Sequence, residues 1–196
     1  DGVAWREVVE VSGGVSAVCR DQVAEEVPLA IHCNGEPLAV MMVSPCDLED
    51  FAHGFALTEL GLGSADLVSM VLQSLLEGIQ LDLRTRDPLP ARAADPQRWL
   101  PGRSGCGICG HRHLEDVVRQ PAAVGQRQIE QRQPLNAATG AIHAAAWARA
   151  DGSLVLVRED VGRHNALDKL IGAMQREGVD PGSGFALVTS RASYEM

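Results

Sequence analysis

Two apolar runs, Val27-Pro28-Leu29-Ala30-Ile31-His32-Cys33 and Leu38-Ala39-Val40-Met41-Met42-Val43, are separated only by Asn34-Gly35-Glu36-Pro37. Asn and Gly both tolerate positive φ, so this junction predicts a β-hairpin. Ser44-Pro45-Cys46-Asp47 follows, with a cap-capable serine, a proline suited to a first helical position and an acid three residues after the serine. The spacing predicts a helix over 45–60 with Leu48, Phe51, Ala52, Phe55 and Leu60 facing a core and Glu49, Asp50 and Glu59 facing solvent. Cys46 reads as a small buried or helix-start residue.

Further along, 66–73 and 78–84 predict a second strand pair, the latter alternating Ile79, Leu81 and Leu83 with Gln80, Asp82 and Arg84. A short helix over 67–76 is the alternative. Residues 1–24 show no strong period and read as an opening strand or arm. The segment 87–103 is irregular and rich in Pro, Arg and Asp, which in a compact domain points to function. A short helix over 111–119 and a polar connector or exposed helix face over 121–133 come next. Asp151-Gly152 signals another hairpin, followed by the strand 154–157 and a helix with Leu167, Leu170, Ile171 and Met174 as its buried stripe. A last strand spans 185–188. Strands and helices in this order give an α/β fold.

The formal charge of −9 and pI near 5.1 exclude a nucleic-acid binder that works through a basic face. No apolar run approaches the roughly 18 residues of a membrane helix, and the first residues lack a basic region followed by an apolar core, so a cytosolic protein is expected. The five cysteines, at 19, 33, 46, 106 and 109, are odd in number and scattered, a poor disulfide framework.

Two of them form Ser104-Gly105-Cys106-Gly107-Ile108-Cys109-Gly110. Glycines beside each sulfur let the backbone turn freely and let a large partner come close. A C-x-x-C pair in a reducing compartment points to a reactive or metal-binding site, with inert thiols as the remaining reading. Arg103, His111, Arg112 and His113 are near enough in sequence to favour a thiolate. The spacing leaves open half of a zinc site completed by His111 or His113, but a four-cysteine ribbon is excluded because no second C-x-x-C exists.

A second constellation ends the strand 154–157: Arg158-Glu159-Asp160-Val161-Gly162-Arg163-His164-Asn165. Open α/β sheets place ligands where strands end and helices begin. Arg163 and His164 can hold phosphate oxygens, and Glu159 or Asp160 can accept from a base edge. The other reading is an ion-pair network that fixes the corner. The strand 185–188 likewise ends at Thr189-Ser190-Arg191, so two strand ends are expected to converge. His143, after Thr139-Gly140, is either a ligand contact or a satisfied core histidine.

Taken together, 104–110, Thr139-Gly140-x-x-His143, 159–172 and 190–196 resemble the formate dehydrogenase accessory sulfurtransferase family, often called FdhD. Glu26-Val27-Pro28-Leu29, Asn34-Gly35-Glu36-Pro37-Leu38-Ala39 and Gly54-Phe55-Ala56-Leu57-Thr58-Glu59 extend the likeness. The resemblance implies a sulfur carrier: a cysteine desulfurase loads a persulfide on Cys106, with Cys109 as helper. The sulfur passes to a molybdenum or tungsten bis-guanine dinucleotide cofactor (Mo-bisMGD) destined for formate dehydrogenase. It implies Thr139, Gly140, His143, Glu159, Asp160, Gly162, Arg163, His164, Asn165, Ser190 and Arg191 as cofactor-binding residues, no permanent metal, and a homodimer.

The implied fold is a cytidine deaminase-like sandwich with a mixed sheet. To it is joined a smaller N-terminal region of β-hairpin and helix. The expected division is 1–87 for that region, 88–134 for the cysteine loop and connector, and 135–196 for an incomplete α/β core. A C-terminal part is expected to be missing. Departures from the family pattern are Thr139-Gly140-Ala141 and Glu59-Leu60-Gly61, where members often carry a further Gly or Cys and a plain Glu-Gly. A zinc-dependent deaminase-like hydrolase and a noncatalytic cofactor-binding chaperone are the alternatives.

Overall fold

The computed structural model describes residues 2–88, 129 and 132–190. The chain opens with β1 (Val3–Ser12) and β2 (Val15–Ala24), an antiparallel ribbon in which Ser12 pairs with Val15. Gly13 and Gly14, at φ 58 and 82, make the two-residue turn. The expected arm is thus a hairpin. Its signal was the Gly-Gly dipeptide, since turns of this kind need positive φ at both central positions.

The predicted hairpin at 34–35 is present between β3 (Val27–Cys33) and β4 (Glu36–Val43), with Asn34 at φ 53 and Gly35 at φ 91. Asn34 also bonds Thr85 twice, through Nδ2 to Oγ1 at 2.7 Å and through Oδ1 from the Thr85 amide at 3.0 Å. This ties the turn to the end of β6 (Ile79–Thr85), which runs parallel to β3 and antiparallel to β5 (Leu67–Ser74). The result is a mixed sheet of order β4-β3-β6-β5. The strand reading of 67–74 holds over the helical one.

One face of this sheet, with Leu29, Ile31, Cys33, Leu81 and Leu83, is buried together with Phe51, Ala52, Phe55 and Leu60. Those four come from α1 (Leu48–Phe55) and the π-helical turn Ala56–Leu60 that continues it to Gly61. The helix begins at Leu48, later than expected, because Ser44 does not cap it. The Ser44 amide donates instead to Asp160 Oδ2 at 3.0 Å, and its hydroxyl oxygen accepts from the Val161 amide at 3.1 Å. Asp50, expected at the surface, is buried between Arg158 Nε at 2.6 Å and Arg176 Nη1 at 2.5 Å.

The second half contains α2 (Pro134–Thr139), β7 (His143–Arg149), β8 (Leu154–Asp160), α3 (Arg163–Glu177) and β9 (Gly184–Val188). β7 is central and antiparallel to both neighbours, in the order β8-β7-β9. α3 lays Ala166, Leu170, Ala173 and Met174 against Ala145, Trp147 and Leu156.

The two halves meet helix to helix. A Cβ at Gly54 would run into the Asp168 carbonyl, and one at Gly172 into the Asp50 carbonyl, so the backbones of α1 and α3 touch where both residues are glycine. The layers are the mixed sheet, α1, α3 and the three-stranded antiparallel sheet, an α/β architecture to which the β1–β2 ribbon is added. No helix among the described residues is long and apolar enough to cross a membrane.

Candidate functional site

Because β8 and β9 both run antiparallel to β7, their C-terminal ends and the start of β7 share one sheet edge. His143 is the register partner of Asp160. Thr189, just past β9, accepts the Ala144 amide on Oγ1 at 2.9 Å and donates its own amide to the Ala144 carbonyl at 3.0 Å, which places Ser190 at the same edge. The predicted convergence of two strand ends is therefore found, with His143 between them.

α2 is brought to this edge by Glu159. Its carboxylate accepts the Leu135 amide on Oε2 at 3.0 Å and the Asn136 amide on Oε1 at 2.9 Å. These amides lie in the first turn, where helix N–H groups lack intrahelical partners. Thr139 closes the far end by donating to the Leu135 carbonyl at 2.8 Å, and Gly140, at φ 66, turns the chain into β7.

The structure thus gathers Thr139, Gly140, His143, Glu159, Asp160, Gly162, Arg163, His164, Asn165 and Ser190 along one edge. Cys106, Cys109 and Arg191 lie outside the described residues, as do Arg103, His111, Arg112 and His113.

Asp160 is wholly buried, and its acceptor positions are used within the protein. Oδ1 accepts the Gly162 amide at 2.8 Å and Asn165 Nδ2 at 3.1 Å. Oδ2 takes the Ser44 amide at 3.0 Å and the Lys169 ammonium at 2.7 Å. A carboxylate offers about four acceptor sites, so none is left for a base edge. Its part is to hold the corner, which corrects the expectation that it accepts from a ligand. Asn165 is likewise engaged, donating also to the Met42 carbonyl at 2.9 Å. Gly162 is needed for space, since a Cβ there would stand 2.9 Å from Asn165 Nδ2.

Three residues of this corner escaped the sequence reading: Ser44, Cys46 and Lys169. Lys169 Nζ is fully buried and donates to the carbonyls of Ser44 at 3.1 Å and Glu159 at 3.2 Å besides pairing with Asp160. Cys46 Sγ lies 3.6 Å from the same nitrogen. Burial raises the Cys46 thiol pKa above its ordinary value, with the Lys169 charge opposing the rise. A signal for Lys169 did exist, because it falls one helical turn after Asn165 and one before Ala173, inside the buried stripe.

Behind the corner, Asp168 Oδ1 meets Thr58 Oγ1 at 2.9 Å. Loss of hydration on burial pushes its pKa up to about 7, against the Thr58 hydrogen bond and helped by the nearby charges of Glu59 and Asp160. Among the described residues no three His, Cys, Asp or Glu side chains converge as metal ligands.

Residues 24–196 match the model of the FdhD/NarQ family. The chain belongs to that family. The matched span takes in Cys106, Cys109 and the whole of 159–169. A sulfur carrier protein FdhD from Xanthomonas euvesicatoria is 49% identical across all of this chain and 74% of its own length. One from Bordetella bronchiseptica is 46% identical over 97% of this chain and 75% of its own. Among solved structures, a formate dehydrogenase accessory protein from Desulfotalea psychrophila aligns with a TM-score of 0.65 and 20% identity. That alignment covers 97% of this chain and 76% of the other, and it shows the family fold.

Proposed function

We propose that this chain is a sulfur carrier serving formate dehydrogenase, with Cys106 carrying the sulfur and the edge around Arg163 and His164 seating the acceptor. The observation that carries the reading is the 49% identity to a sulfur carrier protein along the whole chain, in a sequence that carries the two thiols of a glycine-flanked C-x-x-C.

The Cys106 thiolate attacks the outer sulfur of a persulfide on a cysteine desulfurase. The donor's S–S bond breaks, its thiolate leaves, and Cys106 becomes the persulfide. Delivery as sulfide requires two electrons. Cys109 supplies them by attacking the inner sulfur, so that a Cys106–Cys109 disulfide forms and the outer sulfur departs as hydrosulfide. A cellular dithiol then reduces this disulfide by exchange and is itself left as a disulfide, restoring both thiols.

The acceptor is molybdopterin guanine dinucleotide holding molybdenum or tungsten, a substrate of the carrier. Arg163 and His164, at the start of α3, meet its phosphates, since a guanidinium and a helix N-terminus both favour anions. Thr139, Gly140, His143 and Ser190 line the same edge, Glu159, Gly162 and Asn165 shape it, and Arg191, next in sequence, is read as a further contact. The desulfurase and formate dehydrogenase are the partners, and the carrier works as a homodimer in the cytoplasm. Its architecture is read as a cytidine deaminase-like sandwich.

The test is mass spectrometry after incubation with a desulfurase and cysteine. One added sulfur is expected on the Cys106 peptide. A Cys106→Ser protein that still takes up sulfur and restores formate dehydrogenase activity would refute the assignment.

A further inference from the structure

We infer that Lys169 is a positioning residue for the acceptor site: through Asp160 it sets the β8–α3 turn that presents Arg163 and His164. The inference rests on the reading of that turn as the nucleotide seat.

The geometry behind it is a relay of two groups. An ammonium has three N–H donors, and Lys169 has three oxygens within reach: Asp160 Oδ2 at 2.7 Å, the Ser44 carbonyl at 3.1 Å and the Glu159 carbonyl at 3.2 Å. Two belong to the end of β8 and one to the junction between β4 and α1. The nitrogen therefore locks the strand end of one half to the helix entrance of the other. Asp160 then turns this anchoring outward, because its second oxygen receives the Gly162 amide and Asn165 Nδ2 at 2.8 and 3.1 Å. Gly162 is the residue before α3, and Asn165 is in the first turn of that helix. Arg163 and His164 lie between these two held points.

Both Lys169 and Asp160 have fully buried side chains, so neither touches a ligand directly. Whatever they contribute to binding passes through the turn.

The experiment measures GDP affinity by calorimetry and melting temperature by circular dichroism, for the wild type, Arg163→Ala, Lys169→Met and the double variant Asp160→Asn/Lys169→Met. Lys169→Met is expected to lower affinity at least tenfold and to lower the melting temperature. The double variant removes both buried charges and is expected to regain melting temperature. Its affinity stays at least tenfold down, because an amide has one acceptor oxygen where the carboxylate has two and cannot hold Gly162, Asn165 and Ser44 together.

Affinity within twofold of wild type in either variant, or affinity that recovers along with melting temperature, overturns the inference. If Arg163→Ala weakens GDP while those two variants do not, the nucleotide seat stands and only the positioning role falls. A wild type that does not bind GDP, or an Arg163→Ala protein that binds it unchanged, overturns the seat and the inference with it.

Discussion

Asp168 provides a sharp test of how the two halves are joined. It sits on α3 where that helix meets α1, and Thr58 Oγ1 lies 2.9 Å from its Oδ1 and 3.0 Å from the Gly54 carbonyl. The hydroxyl has one proton and cannot serve both oxygens. Shared between the two, that proton gives Asp168 only a weak hydrogen bond in favour of its charged form. Burial favours the neutral form and raises the pKa from 3.8 to about 7. Because the folded state holds this proton more tightly than the unfolded chain, its contribution to stability is fully present below pH 3.8 and is lost as pH rises to about 7. At about 1.4 kcal/mol per tenfold change in proton affinity, the whole window is worth about 4 kcal/mol, and the part between pH 5 and 8 about 3 kcal/mol. Asp168→Asn offers Thr58 an N–H donor and never ionises. Urea unfolding of both proteins at pH 5 and pH 8 should therefore show the variant gaining about 3 kcal/mol relative to wild type over that interval. A difference between the two proteins that stays constant with pH would show that Asp168 is ionised in the folded protein, and the argument would fail.

The helix crossing itself predicts that Gly172→Ala loses about 3 kcal/mol or more, seen as a fall in melting temperature. The new Cβ meets a backbone carbonyl of α1, which cannot rotate away as a side chain would. Asp50→Ala leaves Arg158 and Arg176 without their shared buried carboxylate and should cost about 3 kcal/mol in urea unfolding. A loss below about 0.5 kcal/mol would give the pair only the worth of a surface ion pair. Glu159→Gln weakens the charge-assisted bonds to the Leu135 and Asn136 amides, by about 2 kcal/mol together. Hydrogen exchange at those two amides should quicken, and unchanged exchange would mean that α2 is held elsewhere.

Local signals made most of the scaffold legible. Asn34-Gly35 and Asp151-Gly152 marked their hairpins because the dihedral demands of such turns are met by few residues. Alternation placed β6, and the 3.6-residue period placed α3 with Leu170 and Met174 inside. The start of α1 was misread for the opposite reason. Ser44 carries every local mark of a cap, yet its hydrogen bonds go to Asp160 and Val161, 116 and 117 residues away in sequence. Asp50 was misread in the same way, since only the folded chain brings Arg158 and Arg176 to it. The candidate site follows this pattern. Its members along 159–165 could be found from strand-then-helix logic, and Lys169 from its place in the buried stripe of α3, whereas Ser44 and Cys46 contribute through contacts that no short window contains.

That division bears on why the corner is polar at all. Apolar side chains of similar volume could have filled the space around Lys169 at little loss of stability, since a buried ion pair barely repays its desolvation. Apolar contacts tolerate sliding and rotation, however, and a carboxylate that must accept from Gly162, Asn165, Ser44 and Lys169 at once does not. Direction is what this arrangement supplies. Besides the β4–α1 junction at Ser44, it orients the turn carrying Arg163 and His164. The apolar core has no comparable feature, for Leu29, Ile31, Leu81 and Leu83 could exchange shapes without redirecting any surface group. A fold that tolerates the desolvation of Lys169 and Asp160 at this one place is consistent with a turn whose geometry matters more than its stability.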